Sequence, residues 1–270
     1  MSAKFTIGIL GCGTIGEAIL SQIIEKKLIK KENLLICEKE KQKEKRVCQK
    51  YNVKSEKIEK LIEKSDFLIL AIKPQDLISL IQKVKFSKRK VLISVLAGID
   101  IDFFARVLKV KKIVRAMPNL MIKVGKGIIV WKDKGLNKKE REFVKKIFEK
   151  LGESKRVKSE DLIDKATLIS GCGPGYLYFF EELILESFEN LGFSRKFILS
   201  LLIKSFSGAL FFQEKNKEKD PKKLVEKVAS KGGVTSEFLK VLKEKKIFEI
   251  FREAAKKAFE KNKKLKLKYD

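Results

Sequence analysis

The apolar run Ile7-Gly8-Ile9-Leu10 leads without a break into Gly11-Cys12-Gly13-Thr14-Ile15-Gly16, a G-x-G-x-x-G turn. Glu17 to Ile29 follows with apolar residues at helical spacing. A buried strand, a glycine turn and a helix in that order form the opening unit of a dinucleotide-binding α/β sheet. In such a unit the first glycine permits the tight turn. The second lets a pyrophosphate approach the backbone, and the third lets helix and strand pack closely. The helix N-terminus adds free N–H groups and a partial positive charge. Leu10, Gly11, Cys12, Gly13, Thr14, Ile15 and Gly16 are therefore candidate cofactor contacts. The competing reading is a structural turn without a ligand.

Up to residue 158 the chain keeps alternating apolar runs with amphipathic stretches. Strands are predicted at 5–10, 34–37, 67–72, 91–96, 112–116 and 127–131, and helices at 42–51, 58–63, 76–84 and 102–108. Continuous Ile/Leu/Val runs between helices predict a Rossmann-like, mostly parallel sheet covered on both faces. Ligands of such sheets bind beyond the carboxyl ends of the strands. That singles out Glu38-Lys39, Ile72-Lys73-Pro74, Leu96-Ala97-Gly98 and Met117-Pro118-Asn119, each just after a predicted strand. From residue 159 to 270 the pattern is all helical, with stretches at 175–191, 195–213, 222–228, 236–243 and 247–259. The segment 197–212 is apolar on nearly every side, including Phe197, Leu201, Phe206, Leu210 and Phe211. A helix apolar all round must be buried all round. The expectation is an α/β N-terminal domain followed by an all-α domain that pairs with a second subunit, the alternative being a helix buried within its own chain's core.

Composition narrows the function. The net charge is +27, from 62 Lys and Arg against 35 Asp and Glu, yet only eight of the basic residues are arginine. The lysines run from end to end and interleave with glutamates, as in 140–150. Solvated helix faces look like this, whereas a nucleic-acid footprint is localised, so nucleic acid is not expected as a partner. The positive field still favours anionic substrates and phosphate-bearing cofactors. Histidine is absent and Cys12, Cys37, Cys48 and Cys172 are scattered, so no metal site is expected and free thiols in a reducing cytoplasm are the simple reading. No secretory signal is expected. The longest stretch free of charge, 166–180, is only 15 residues and holds three glycines and a proline, too broken for a membrane span.

Glu38 lies 22 residues after Gly16, where an acidic side chain can bond ribose hydroxyls. Lys39, Lys41 and Lys43 follow at once and can equally accept a 2′-phosphate, so NADH and NADPH both stay open. Three further segments stand out: Arg115-Ala116-Met117-Pro118-Asn119, Ser170-Gly171-Cys172-Gly173-Pro174-Gly175-Tyr176, and Ser230-Lys231-Gly232-Gly233-Val234-Thr235. The last opens a helix and can present several N–H groups to a carboxylate, with Thr235 adding a hydroxyl. Each segment alone is equally a cap or a packing turn.

Taken in order with Leu70-Ala71-Ile72-Lys73-Pro74-Gln75 and Ser94-Val95-Leu96-Ala97-Gly98, these segments give the chain an end-to-end resemblance to pyrroline-5-carboxylate reductases. The resemblance implies NADPH or NADH in the N-terminal domain, and C-terminal helices paired across a homodimer, in some members within a ring of dimers. Ala71, Ile72, Lys73 and Pro74, with Val95, Leu96 and Ala97, would contact the nicotinamide half of the cofactor, with Met117 and Asn119 close by. Ser230, Gly232, Gly233 and Val234 would receive the substrate carboxylate, Thr235 would meet the ring nitrogen as the catalytic group, and Glu160 and Lys227 would lie near the substrate.

Several positions depart from the usual pattern: Leu120 and Ile122 after M-P-N, Cys172 and Gly175 in the glycine-rich segment, and Lys227, Lys231 and Val234 around the carboxylate loop. Losing a proline at 231 removes a fixed φ from that loop. The implied reaction is hydride transfer to the C=N carbon of L-Δ1-pyrroline-5-carboxylate, giving L-proline in the final step of its biosynthesis. A related imine or semialdehyde reductase, or a catalytically silent nucleotide-binding relative, are the alternatives.

Overall fold

The structure, a computed structural model, describes residues 5–86 and 90–266. Its first elements are β1 (Ile7–Leu10), α1 (Thr14–Glu25), β2 (Leu34–Cys37), α2 (Lys41–Tyr51), β3 (Lys54–Ser55), α3 (Ile58–Lys64) and β4 (Phe67–Leu70). Next come α4 (Leu77–Lys83), β5 (Val91–Ser94), α5 (Ile101–Val107), β6 (Lys112–Pro118), β7 (Gly127–Lys134), α6 (Lys138–Leu151) and β8 (Gly152–Arg156). Helices α7 (Glu160–Ala166), α8 (Gly173–Phe188), α9 (Arg195–Lys215), α10 (Pro221–Val228), α11 (Val234–Glu244) and α12 (Ile247–Lys266) complete the chain.

The eight strands form one sheet in the order β3-β2-β1-β4-β5-β6-β7-β8. All pairings are parallel except β6 with β7. The apolar runs are continuous because both faces of the sheet are covered. Along each central strand, alternate side chains enter different cores. Ile7, Ile9, Leu34, Ile36, Phe67 and Ile69 pack with Ile19, Leu20 and Ile23 of α1 and Val144, Ile147 and Phe148 of α6. Leu10, Leu35, Leu68, Leu70 and Leu92 pack on the opposite side with Leu61 and Ile62 of α3, Leu77 and Leu80 of α4, and Phe103 and Phe104 of α5.

The expected strand at 5–10 is shorter, at Ile7–Leu10, while β6 and β7 run beyond the expected 116 and 131. Two strands were not expected, β3 and β8. They are the two edges of the sheet, short and rich in exposed polar residues. Edge strands are commonly built this way, since a polar edge discourages pairing with another chain.

The chain divides into two compact units. One holds the described residues through Cys172 and those from Phe259 onward; the other is Gly173–Ala258. The change of pattern at 159 thus precedes the change of packing, because α7 belongs with the sheet. Ile163 is fully buried against Met117 and Val130, and Arg115 pairs with Glu160 and Asp164. Late in α12, Asn262 Nδ2 donates to Asp164 O at 2.9 Å.

In the second unit, among the described residues, only Leu185 and Ile198 are buried hydrophobics. Phe179, Leu201, Ile203, Leu210, Phe211, Phe248 and Ile250 are all at least half exposed. Helix α9 is long and apolar enough by length and composition to cross a membrane, although charged residues interrupt its sequence and no charge-free stretch is that long.

Candidate active site

The order of strands reverses between β1 and β4, and in open parallel sheets that crevice is where ligands bind. A cleft of about 860 Å³ opens there, lined by Leu10, Gly11 and Gly13, by Glu38 and Lys39, and by Ala71, Ile72 and Lys73. On its far wall stand Ile58 and Glu59 of α3, the Gln75-Asp76 turn, and Ser79 and Leu80 of α4; of these only Gln75 belongs to a segment marked in the sequence, and none was an expected contact. Proximity in sequence to Lys73-Pro74 was the available signal for Gln75 and Asp76.

The three glycines have separate physical reasons. Gly11 takes φ +94, and a Cβ there would sit 2.7 Å from Ala71 O. At Gly16 a Cβ would lie 2.0 Å from Gly11 O, so α1 packs against the turn only without a side chain. Gly13 is different: an added Cβ meets nothing within 4 Å, and the residue lines the cleft. No protein atom requires glycine at 13, whereas a pyrophosphate approaching the N-terminus of α1 would. The residues present therefore fit a dinucleotide. Of the others in this segment, Cys12 is buried and its thiol is pushed up to about 12 by burial and by the nearby Glu38 carboxylate. Thr14 is exposed and Ile15 half-buried.

Glu38 ends the turn after β2. Its Oε2 accepts from Cys12 N at 2.7 Å and faces Lys43 Nζ at 3.2 Å, while Oε1 accepts from Glu40 N at 3.2 Å. Burial pushes its pKa up, but these two backbone N–H groups and the Lys43 ammonium outweigh it, and the carboxyl lies below the usual range. Lys39 and Asp76 stand across the cleft mouth, with Nζ and Oδ1 3.6 Å apart.

The remaining expected contacts follow the same edge of the sheet. Pro74 begins a single 3₁₀ turn, Pro74–Asp76. Val95, Leu96 and Ala97 come directly after β5; Leu96 is buried, and Val95 and Ala97 are half-buried. Met117 sits in β6 against Val130 and Ile163. Asn119 uses its amide within the protein: Nδ2 donates to Ser170 O at 3.0 Å and Oδ1 accepts from Ile128 N at 3.2 Å. Glu160 is also engaged, its Oε1 accepting from Ile101 N and from Arg115 Nη1, both at 3.1 Å. Arg115 is fully buried and also bonds Asp164. In the sequence Arg115 stands out only as part of its motif; a lone arginine inside an apolar strand is the signal for a buried ion pair.

In the helical unit, Ser230 to Gly233 forms a tight loop ahead of α11, which starts at Val234, two residues before the expected 236, so that Val234 and Thr235 lie in its first turn. Gly232 takes φ +75, Gly233 N donates to Ser230 O at 2.9 Å, and Ser236 Oγ donates to the same carbonyl at 2.8 Å. Gly233 is the N-cap of α11 and supplies no side chain to its first-turn N–H groups. Val234, 91% exposed, and Thr235 stand at the open end of that turn. A helix start without a capping side chain is suited to hold an anion. Lys227 is exposed in the last turn of α10.

Comparison with known proteins agrees with this geometry. A family profile described as pyrroline-5-carboxylate reductase dimerisation matches residues 160–265, and one described as NADP oxidoreductase, coenzyme F420-dependent, matches residues 6–98. Pyrroline-5-carboxylate reductase of Aquifex aeolicus is 31% identical over 261 residues, covering 96% of this chain and 97% of its own. Pyrroline-5-carboxylate reductase 2 of Bacillus subtilis is 28% identical, covering 94% of each. The crystal structure of the Plasmodium falciparum pyrroline carboxylate reductase with NADP bound superposes with a TM-score of 0.88 at 28% identity, over 98% of this chain and all of that one. With a relative 31% identical and matched along nearly its whole length, the chain belongs to the pyrroline-5-carboxylate reductase family.

Proposed function

We propose that the chain reduces L-Δ1-pyrroline-5-carboxylate to L-proline, the last step of proline biosynthesis, with NADH or NADPH as electron donor. The observation that carries this reading is the cleft at the β1–β4 crevice, where Gly13 lines the wall and leaves open space for a phosphate at the start of α1. When bound, the reduced nicotinamide supplies the hydride that the C=N carbon accepts.

The chain's own contribution is positioning. The glycine turn and the first-turn N–H groups of α1 hold the coenzyme phosphates, and Glu38 takes the ribose hydroxyls. Ala71 to Pro74, Val95 to Ala97, Met117 and Asn119 border the nicotinamide half. The N–H groups at the start of α11 bind the substrate carboxylate, with Lys227 adding charge attraction. Thr235 Oγ1 hydrogen-bonds the ring nitrogen, and Glu160 stands beside the substrate. An imine nitrogen is basic enough to take its proton from water, so the absence of histidine is no obstacle.

The apolar surface of the helical unit, α9 included, is what a second copy covers, giving a homodimer that can itself serve as the unit of a larger ring. Its four free cysteines suit a reducing cytoplasm.

A steady-state assay of the purified chain with pyrroline-5-carboxylate and each coenzyme tests the proposal. Loss of nicotinamide absorbance is the expected result, and no turnover with either coenzyme would overturn it. Faster turnover of a six-membered cyclic imino acid would move the assignment to a related imine reductase.

A further inference from the structure

We infer that the chain selects NADH over NADPH, and that Glu38, with the lysines around it already engaged by carboxylates, is the determinant. The inference rests on the function proposed above and concerns the adenosine end of the same cleft.

A ribose diol donates hydrogen bonds, so it suits a carboxylate; a 2′-phosphate brings negative charge and needs cations instead. Glu38 lines the cleft at the end of β2, its side chain only 10% exposed. Two backbone N–H groups fix it, at 2.7 Å from Cys12 and 3.2 Å from Glu40, so it cannot easily turn aside to admit a phosphate.

The three lysines that follow β2 left the choice open in the sequence. In the structure each faces a carboxylate. Lys43 Nζ lies 3.2 Å from Glu38 itself, Lys41 Nζ 2.8 Å from Glu44, and Lys39 Nζ 3.6 Å from Asp76. Lys43 is the best placed of the three, lining the cleft, yet its charge neutralises Glu38 and recruiting it for a phosphate would leave that carboxylate uncompensated. Lys39 is held least firmly, at 87% exposure, and an exposed pair of this kind contributes little.

The charge of the cleft points the same way. The chain carries +27, yet the cleft lining sets Glu38, Glu40, Glu59 and Asp76 against Lys39, Lys43 and Lys73. In this basic protein the lining of the coenzyme cleft as a whole thus holds one more acidic than basic side chain.

The test measures binding without substrate, so it does not depend on the reaction. Titration of the whole chain with NADH and with NADPH, followed by nicotinamide fluorescence, is expected to give a Kd at least ten-fold lower for NADH. Glu38→Gln should narrow that ratio by weakening NADH and strengthening NADPH. A readout on the unaltered chain guards against a folding defect in the variant: 5′-AMP should displace NADH at lower concentration than adenosine 2′,5′-bisphosphate. Equal or tighter binding of NADPH, better competition by the bisphosphate, or a ratio unchanged in a folded Glu38→Gln protein would each overturn the inference. Selective NADH binding without pyrroline-5-carboxylate turnover would sink the proposed reaction alone; turnover that favours NADPH would sink this inference alone.

Discussion

Gly13 and Gly16 look alike in the sequence and differ in the structure. A side chain at 16 collides with the backbone of Gly11, whereas one at 13 enters open space. Gly13→Val should therefore leave the thermal midpoint close to that of the unaltered chain and weaken coenzyme binding by at least about ten-fold, roughly 1.4 kcal/mol. Fluorescence titration beside a melting curve checks both halves; retained affinity would remove the ligand-based reason for this glycine. At the proposed substrate loop, Thr235→Ala should lower imine reduction by on the order of 10- to 1000-fold, the worth of one oriented hydrogen bond in a transition state. Coenzyme Kd should not change, and near-normal turnover would deprive Thr235 of its role.

Among the elements, α1 and α2 are joined by a cluster that no spacing along the chain marks out. Glu17 accepts from Arg46 Nη1 and Nη2 at 3.1 and 2.5 Å, and from Lys50 Nζ and Tyr51 Oη at 3.0 Å each. The Arg46 bonds chiefly, against some burial and helped by Lys50 and Tyr51, lower its pKa from 4.5 to about 2. A depressed folded-state value means that the stabilisation is present above the unfolded value and is lost as pH falls toward 2. Its partners are half exposed, so solvent screening limits the cluster to about 1 kcal/mol. Glu17→Gln should accordingly be less stable in urea at pH 7, and the gap should close between pH 4.5 and about 2. A difference that persisted at pH 2 would mean that packing, not charge, was lost.

The same scale shows what was legible. Strands buried on both faces announced themselves as apolar runs, and the glycine turn fixed where they lead. The edge strands β3 and β8, only two and five residues long and largely polar, had no hydrophobic signal to read. Nor could spacing reveal that β7 runs antiparallel to β6, that Glu38 bonds the glycine turn, or that Asn119 and Glu160 spend polar atoms on backbone partners. Those facts depend on residues brought together from distant parts of the chain.

For the whole molecule, the contrast between the two units decides the expected state in solution. The sheet has two well-filled cores, while the helical unit leaves most of its large apolar side chains uncovered. Sedimentation at micromolar concentration should show a dimer or larger. Phe211→Glu, at a position 61% exposed on α9, should shift the population toward smaller species. A stable, well-folded monomer of the unaltered chain would contradict the proposed pairing.

Helix α9 also carries a consequence for life before assembly. A newly made chain emerges with Leu210, Phe211 and Phe212 facing water, and until it meets a twin it is a candidate for chaperones and for clumping. Encounter frequency then becomes part of heat resistance: by mass action, dilution should lower the melting temperature, a dependence no self-sufficient fold would display.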